Sequence, residues 1–202
     1  MKEPPRAALG QVGIALNFGL AVFTMILAIG DLSGAHLNPA ATLAFSACGQ
    51  FPRKSVAPYL IAQTLGGLTA SGFLRFLFPT HATLGATFPA SSPAQSFVLE
   101  FLMTFSLMLT VLHLCCGARQ RGLPVALAAG GVVALAALFG GPISGASLNP
   151  ARSLGPALWS GRFDFFWVYL TAPVLGALCA IPVCRAGRAE GCCRAEFPPS
   201  TS

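Results

Sequence analysis

Two asparagines, each followed by proline and alanine, are the strongest candidates for functional residues in this sequence. Asn38 lies in SGAHLNPAAT (Ser33–Thr42) and Asn149 lies in SGASLNPARS (Ser144–Ser153), so nearly the same ten residues occur twice. An asparagine amide offers two N–H donors and one carbonyl acceptor, and Arg152, directly after the second motif, adds a permanent positive charge. Together these groups could bind a water or hydroxyl oxygen and would repel cations.

Each asparagine begins a short apolar segment, Asn38–Cys48 or Asn149–Trp159, with a glycine near its end. Asparagine caps helix N-termini, proline suits the first helical position, and glycine ends helices. At 1.5 Å per residue each segment reaches only about halfway through a ~30 Å hydrocarbon core. We therefore predict two half-helices whose non-helical lead-ins, Ser33–Leu37 and Ser144–Leu148, are buried in protein or line a wet cavity.

The residues around the two motifs are typical of a membrane protein. Hydrophobic residues make up 54% of the 202 residues and charged residues 9%, against about 25% charged in soluble domains. The sequence shows no metal-ligand spacing and no nucleophile beside a base, so we expect no metal, no cofactor and no enzyme activity. It also shows no stripe of basic and aromatic residues, so we expect no nucleic-acid partner. Five apolar runs are long enough to span a bilayer: Leu9–Ile29, Val56–Phe78, Phe97–Cys116, Val125–Phe139 with its flanks, and Phe165–Val183.

The order of these segments predicts an inverted repeat within one membrane domain, residues 1–202. Residues 9–78 give span, half-helix, span, and residues 96–184 give span, span, half-helix, span; the loop 79–95 joins them. The halves then have opposite orientations, and the half-helices meet by their N-termini near the midplane. We therefore expect an all-α bundle of five full spans and two re-entrant half-helices, with the first helix of repeat one missing.

Basic residues predict the orientation of the chain in the membrane. Loop 79–95 has no charged residue apart from the titratable His81. Basic residues follow the first half-helix, the third span and the fifth span: Arg53, Lys54, Arg119, Arg121, Arg185, Arg188 and Arg194. The positive-inside rule makes these three regions cytoplasmic, including the tail 185–202. Counting spans backwards places the N-terminus outside, although Lys2 and Arg6 favour the cytoplasm, and this conflict agrees with a missing first helix.

Two facing helix N-termini would place two positive dipole ends, each about half a charge, at one point in the membrane. The small residues after each asparagine allow the helix tips to approach closely: Pro39, Ala40, Pro150 and Ala151. Ordinary capping of two separate helices is the alternative interpretation. An arginine at membrane depth costs at least ~2.5 kcal/mol, which makes Arg152 a functional candidate. A salt bridge to Glu100 is its alternative role, but we expect Glu100 to bind backbone amides of Ser144–Leu148.

These motifs resemble those of the aquaporins, members of the major intrinsic protein family, over almost all of residues 10–183. SGAHLNPA and SGASLNPARSLGPAL carry the resemblance, and GGPISGASLNPARS together with FSACGQFP is most similar to the nodulin-like intrinsic proteins and their bacterial relatives. The resemblance implies a right-handed bundle of six tilted spans and two half-helices, with one pore per protomer of a homotetramer. It also implies that the missing first helix carries a glutamate equivalent to Glu100.

The resemblance further implies a narrow selectivity filter made of Phe18, Ala137, Ala146 and Arg152. Water-selective members usually have histidine where Ala137 stands, and bacterial glycerol facilitators usually have aspartate where Ser153 stands. We therefore expect a filter wider than that of strict water channels, which would pass glycerol, urea or undissociated metalloid acids.

The leading hypothesis is a passive channel for water and small neutral solutes in a lipid bilayer, most simply the plasma membrane or a cell inner membrane. The missing helix favours an alternative, a truncated non-conducting homologue or a regulatory subunit, in which the whole chain would conduct poorly. A secondary transporter would share the inverted repeats but would need a coupling acid near Asn38 and Asn149, and the sequence offers no convincing one.

Overall fold

A computed structural model describes residues 10–115 and 122–187 of the chain. This part contains a short 3-10 helix (Arg53–Ser55), no β-strand, and seven α-helices: α1 (Gly10–Ser33), α2 (Pro39–Ala47), α3 (Val56–Leu77), α4 (Pro93–Leu114), α5 (Leu123–Ser144), α6 (Pro150–Ser160) and α7 (Trp167–Ala186). The all-α prediction is therefore confirmed for the described residues. The predicted N-terminal charges, the Arg119 and Arg121 loop and most of the tail lie outside them.

Four of the helices, α1, α4, α5 and α7, are long and apolar enough to cross a membrane. Their outer surfaces expose large apolar side chains, such as Leu135 and Phe139 of α5, and such extended apolar surfaces are matched by lipid tails rather than by water. Helix α3 has the same length as α4 and α5 but is not among the four. The count of five full spans therefore stays a prediction.

Helix α5 includes both flanks of the apolar run Val125–Phe139. The sequence interpretation took that run with its flanks as one span, and the helix extends from Leu123 through Pro142 to Ser144. A proline in the last turn removes one N–H donor without ending the helix at once. The helix stops at Gly145, whose φ of 86° lies in the left-handed region that glycine adopts without strain.

Glycines allow the helices to pack closely where they cross. Helices α1 and α5 meet at Gly19 and Gly130, where a Cβ added to Gly19 would lie 2.5 Å from the Gly130 carbonyl oxygen. Helices α3 and α6 meet at Gly67 and Gly155, where a Cβ on Gly67 would lie 2.7 Å from the Ala151 carbonyl oxygen. Contact at this distance requires small residues, which is a common device of membrane helix interfaces.

The two short helices pack reciprocally. Helix α2, which belongs to the first repeat, packs mainly against α7, the last helix of the second repeat, and α6 packs mainly against α3, the last helix of the first repeat. Helices α2 and α6 also contact each other. Buried residues of α2, α4 and α7 form one apolar core, which includes Ala44, Met108 and Ala177. This reciprocity is the tertiary counterpart of the repeated sequence, and it brings the two Asn-Pro-Ala motifs together.

Candidate functional site

Each asparagine caps the short helix that follows it. The Oδ1 atom of Asn38 accepts a hydrogen bond from Ala40 N (2.9 Å), and the Oδ1 atom of Asn149 accepts from Ala151 N (3.0 Å) and Arg152 N (3.2 Å). Both asparagines have extended backbones, and a proline occupies the first turn of each helix. The local arrangement is the one that the Asn-Pro pairs predict, because a cap binds the free N–H groups of the first turn.

The asparagine amides also join the two motifs to each other. Asn38 Nδ2 donates to the Leu148 carbonyl oxygen (2.7 Å), and Asn149 Nδ2 donates to the Leu37 carbonyl oxygen (2.8 Å). The sequence interpretation expected each asparagine to offer an amide donor to a lumen but did not foresee this cross-bonding. One N–H of each amide is bound across the repeat, and the second N–H remains for a molecule in the cavity.

Both lead-ins have a strained backbone at matching positions. Ala35 and Leu37 in the first repeat have φ angles of 45° and 52°, and Ala146 and Leu148 in the second have 41° and 55°. Left-handed conformations of residues other than glycine are uncommon and persist only where the surroundings enforce them. The reciprocal bonds from Asn38 and Asn149 are part of that enforcement, because they bind the carbonyls of the two left-handed leucines.

Glu100 holds the second lead-in from α4. Its side chain is 0% exposed; its Oε1 atom accepts from Ser144 Oγ and Ser147 N, and its Oε2 atom accepts from Leu148 N, each at 2.8 Å. This is the position in which the sequence placed it. Tyr169, which the sequence analysis did not single out, donates its hydroxyl to the Ser144 carbonyl oxygen (2.6 Å). The available sequence signal was a tyrosine within an apolar helix, because its hydroxyl requires a hydrogen-bond partner when it is buried.

Arg152 lies between an aromatic ring and a backbone carbonyl. Its guanidinium carbon is 5.3 Å from the centroid of the Phe18 ring, which is within the range of a cation–π contact. Its NH1 group donates to the Gly85 carbonyl oxygen (2.7 Å). The ion pair found among the described residues joins Arg162 to Asp164, so Arg152 is not paired with Glu100 there. The alternative role of Arg152 as the partner of a structural salt bridge therefore lacks support.

A cavity of 170 Å³ contains most of the predicted site. Both asparagines, Arg152, Phe18 and Ala146 line it. Ala137 does not; it is buried on α5, and its carbonyl oxygen accepts from Gln11 Nε2 (2.6 Å). Three of the four predicted filter residues thus share one cavity with the two motifs, and the fourth lies outside its wall.

A wider cavity of 680 Å³ adjoins the first on the side of α3. Small residues of α3 form much of its wall, among them Ala62, Gly66 and Gly67, and Asn149 and Arg152 line it as well. Asn149 and Arg152 therefore border both spaces, whereas Asn38 lines the smaller cavity but not the larger one.

The first motif carries a polar network that the sequence analysis missed. Thr42 Oγ1 lies 3.1 Å from His36 Nδ1, accepts from Gln63 Nε2 (2.9 Å) and donates to the Asn38 carbonyl oxygen (3.1 Å). The His36 ring stacks on Phe45 with 4.7 Å between centroids. The sequence signal was the difference between the repeats, since His36 stands where the second motif has a serine. These contacts link α2 and α3 to the lead-in of the first motif.

Comparison with known proteins agrees with this geometry. The family model described as "Major intrinsic protein" matches residues 2–183. The chain is 48% identical to aquaporin NIP1-1 of Oryza sativa subsp. japonica over 84% of its own length and 61% of that protein. It is 43% identical to nodulin-26 of Glycine max over 82% of its length and 62% of that protein. These relatives confirm the resemblance to the nodulin-like branch, and the chain spans about three fifths of the length of the curated relatives that it matches.

A solved structure has the same fold. The aquaglyceroporin from Plasmodium falciparum superposes with a TM-score of 0.78 over 92% of this chain and 88% of that one, at 24% sequence identity. At this identity the likeness concerns the fold. Together with the four apolar helices, the relatives show that this is an integral membrane protein.

Proposed function

Because the chain belongs to the major intrinsic protein family, we propose that it forms a membrane channel through which water and small uncharged solutes diffuse passively while ions and protons are excluded. The observation that carries this proposal is the meeting of two capped helix N-termini at one cavity, where Asn38 and Asn149 are cross-bonded and Arg152 stands beside them. Members of this family are channels rather than enzymes.

Electrostatics supports the exclusion of cations. The N-termini of α2 and α6 each contribute a positive dipole end, and Arg152 adds a full charge at the same cavity. No acidic residue of the described chain lines this cavity. A cation that leaves bulk water there would lose hydration and meet this positive potential, which is a barrier of the kind known in selective pores.

Hydrogen bonding supports the passage of neutral solutes. The second N–H of each asparagine amide and the free N–H groups of Arg152 can donate to the oxygen of water, of an alcohol or of urea. Phe18 offers an apolar surface for a carbon skeleton, and Ala146, which lines the same cavity, contributes only a methyl group. We therefore keep the solute class as glycerol, urea or undissociated metalloid acids.

The proposal includes the membrane arrangement. Helix α3 would be the fifth full span, α2 and α6 would be re-entrant half-helices, and the C-terminus would be cytoplasmic. Residues 9–78 and 96–184 would be the two repeats, and four copies would form a homotetramer with one pore each. The reciprocal packing of α2 on α7 and of α6 on α3 supports the inverted repeat.

Reconstitution into vesicles tests the electrostatic mechanism. We expect the wild-type chain to pass water and glycerol while a proton gradient persists, and the double variant Arg152→Val with Asn149→Asp to leak cations and protons. Aspartate keeps the cap of α6 because its carboxylate accepts from the same amides. Arg162→Val is the control, since Arg162 is exposed and pairs with Asp164. A double variant that is as ion-tight as the wild type would overturn the mechanism, and a wild type without flux would overturn the channel function.

A further inference from the structure

The loop between α3 and α4 contains a buried threonine close to the candidate filter. Thr87 is 5% exposed, and its Oγ1 atom lies 2.7 Å from Ser153 Oγ. Its methyl carbon packs against Gly145, where an added Cβ would lie 3.0 Å from it. Ser153 directly follows Arg152 and is fully buried. Thr87 therefore contacts the helix that carries the filter arginine, from a different segment of the chain.

The hydroxyl groups form a chain with one direction. Ser147 Oγ donates to the Asn149 carbonyl oxygen (2.9 Å), which uses its single hydrogen. In its contact with Ser153 Oγ it must therefore accept, and Ser153 must in turn accept from Thr87. The order of donation is Thr87, Ser153, Ser147 and then the backbone of Asn149. Removing the first hydroxyl leaves the buried Ser153 oxygen without its donor.

The same loop binds the arginine side chain directly. Gly85, two positions before Thr87, accepts from Arg152 NH1 through its carbonyl (2.7 Å). The backbone around it is tightly turned, with φ angles of 52° at Leu84 and 79° at Gly85. A second attachment follows where Ala90 N donates to the Ile143 carbonyl oxygen (2.9 Å). The position of the Gly85 carbonyl thus depends on how the loop is anchored, and Thr87 supplies a buried, hydrogen-bonded anchor two positions away.

We propose that Thr87 is a positioning residue for the filter: its hydroxyl anchors the loop so that the Gly85 carbonyl holds the Arg152 guanidinium against the cavity wall. This inference rests on the proposed channel function. Without the anchor, Arg152 moves into the 170 Å³ cavity opposite Ala146, and it obstructs a solute of several heavy atoms more than it obstructs water.

The test compares Thr87→Val with Thr87→Ser in reconstituted vesicles, with water and glycerol fluxes measured by stopped-flow light scattering. Valine keeps the methyl contact with Gly145 and removes the hydroxyl, whereas serine keeps the hydroxyl. Thr80→Val is the matched control, because Thr80 is an exposed threonine of the same loop. We expect Thr87→Val to lower glycerol flux by about fivefold, the factor that corresponds to one neutral hydrogen bond, and water flux by less than about twofold, with Thr87→Ser and Thr80→Val near the wild type.

A second measurement reports on the anchor without using transport. Hydrogen exchange followed by mass spectrometry should show faster exchange in Thr87→Val in two segments, the loop residues 83–90 and the residues 147–153 around Arg152. If Thr87 stabilised only its own loop, exchange would rise in residues 83–90 alone. An unchanged ratio of glycerol to water flux in Thr87→Val, or exchange that is raised only in the loop, would overturn the positioning role. A wild-type chain that conducts neither solute would instead overturn the proposed function itself, so the two failures are distinguishable.

Discussion

Replacing Glu100 by glutamine removes one charge from the support of the second lead-in while keeping the shape of the side chain. The carboxylate accepts three hydrogen bonds, from Ser144 Oγ, Ser147 N and Leu148 N. Glutamine has one accepting oxygen and one NH₂ group, so in either orientation the NH₂ group faces a backbone N–H donor. One backbone donor then loses its acceptor, and the bonds that remain are no longer charge-assisted.

The expected cost follows from these contacts. A buried donor without a partner costs roughly 1–3 kcal/mol, and hydrogen bonds to charged groups contribute about 1.5–3 kcal/mol against about 1 kcal/mol for neutral ones. We therefore expect Glu100→Gln to lower the free energy of unfolding by about 3 kcal/mol, which corresponds to a fall in Tm of roughly 6–12 °C for a chain of this size. Thermal unfolding in detergent, followed by tryptophan fluorescence, measures it.

Flux should fall with stability, because Leu148 also accepts from Asn38. If the lead-in shifts, the cross-bond between the motifs weakens and water flux declines even below the unfolding temperature. Asp164→Asn is the matched acid-to-amide control at an exposed ion pair with Arg162, and it should leave Tm and flux unchanged. A Glu100→Gln variant with the Tm and water flux of the wild type would refute the assigned role of Glu100.

Two further substitutions test the packing and the filter. Gly130→Ala should lower the free energy of unfolding by about 1–3 kcal/mol through overpacking, because its Cβ would lie 2.7 Å from the Gly19 carbonyl oxygen. Gly131→Ala is the control, since no atom lies within 4 Å of an added Cβ there, and it should leave thermal unfolding in detergent unchanged or slightly delayed. Equal destabilisation by the two variants would contradict the close crossing of α1 and α5. Ala137→His should reduce glycerol flux more than water flux in stopped-flow measurements, because an imidazole reaches further than a methyl group; equal losses would exclude Ala137 from the filter.

Local structure around the motifs could be predicted from the sequence because it depends on neighbouring residues. Asn38 and Asn149 cap the helices that their Asn-Pro pairs indicated, and Gly161 ends α6 with a φ of 71°. Apolar composition indicated the membrane. The length of the flanks of Val125–Phe139 did not follow from the sequence, because Pro142 stands so late in α5 that it removes one donor without ending the helix. Cap and turn preferences act over a few residues, so a short window of sequence contains most of the information.

The candidate site was predictable only in part. The inverted repeat predicted that the two asparagines lie close together. The family resemblance supplied Phe18, Ala146 and Arg152, which do line one cavity. The resemblance supplied Ala137 in the same way, yet Ala137 lies outside that cavity wall. Spacing along a helix defines a face, but the tilt of α5 against its neighbours decides which part of that face reaches the cavity.

The helical segments and the residues that cap the short helices can be read from the order of the amino acids. The long-range partners depend on the packed fold: each asparagine amide donates to the carbonyl of the residue before the other asparagine, Gly85 binds Arg152, and Thr87 begins a chain of hydroxyls that ends at Asn149. These partners are far apart in the chain. A hydrogen bond requires its heavy atoms to come within about 2.7–3.2 Å, and that distance is set by the packing of whole helices rather than by any local preference of the residues that form it.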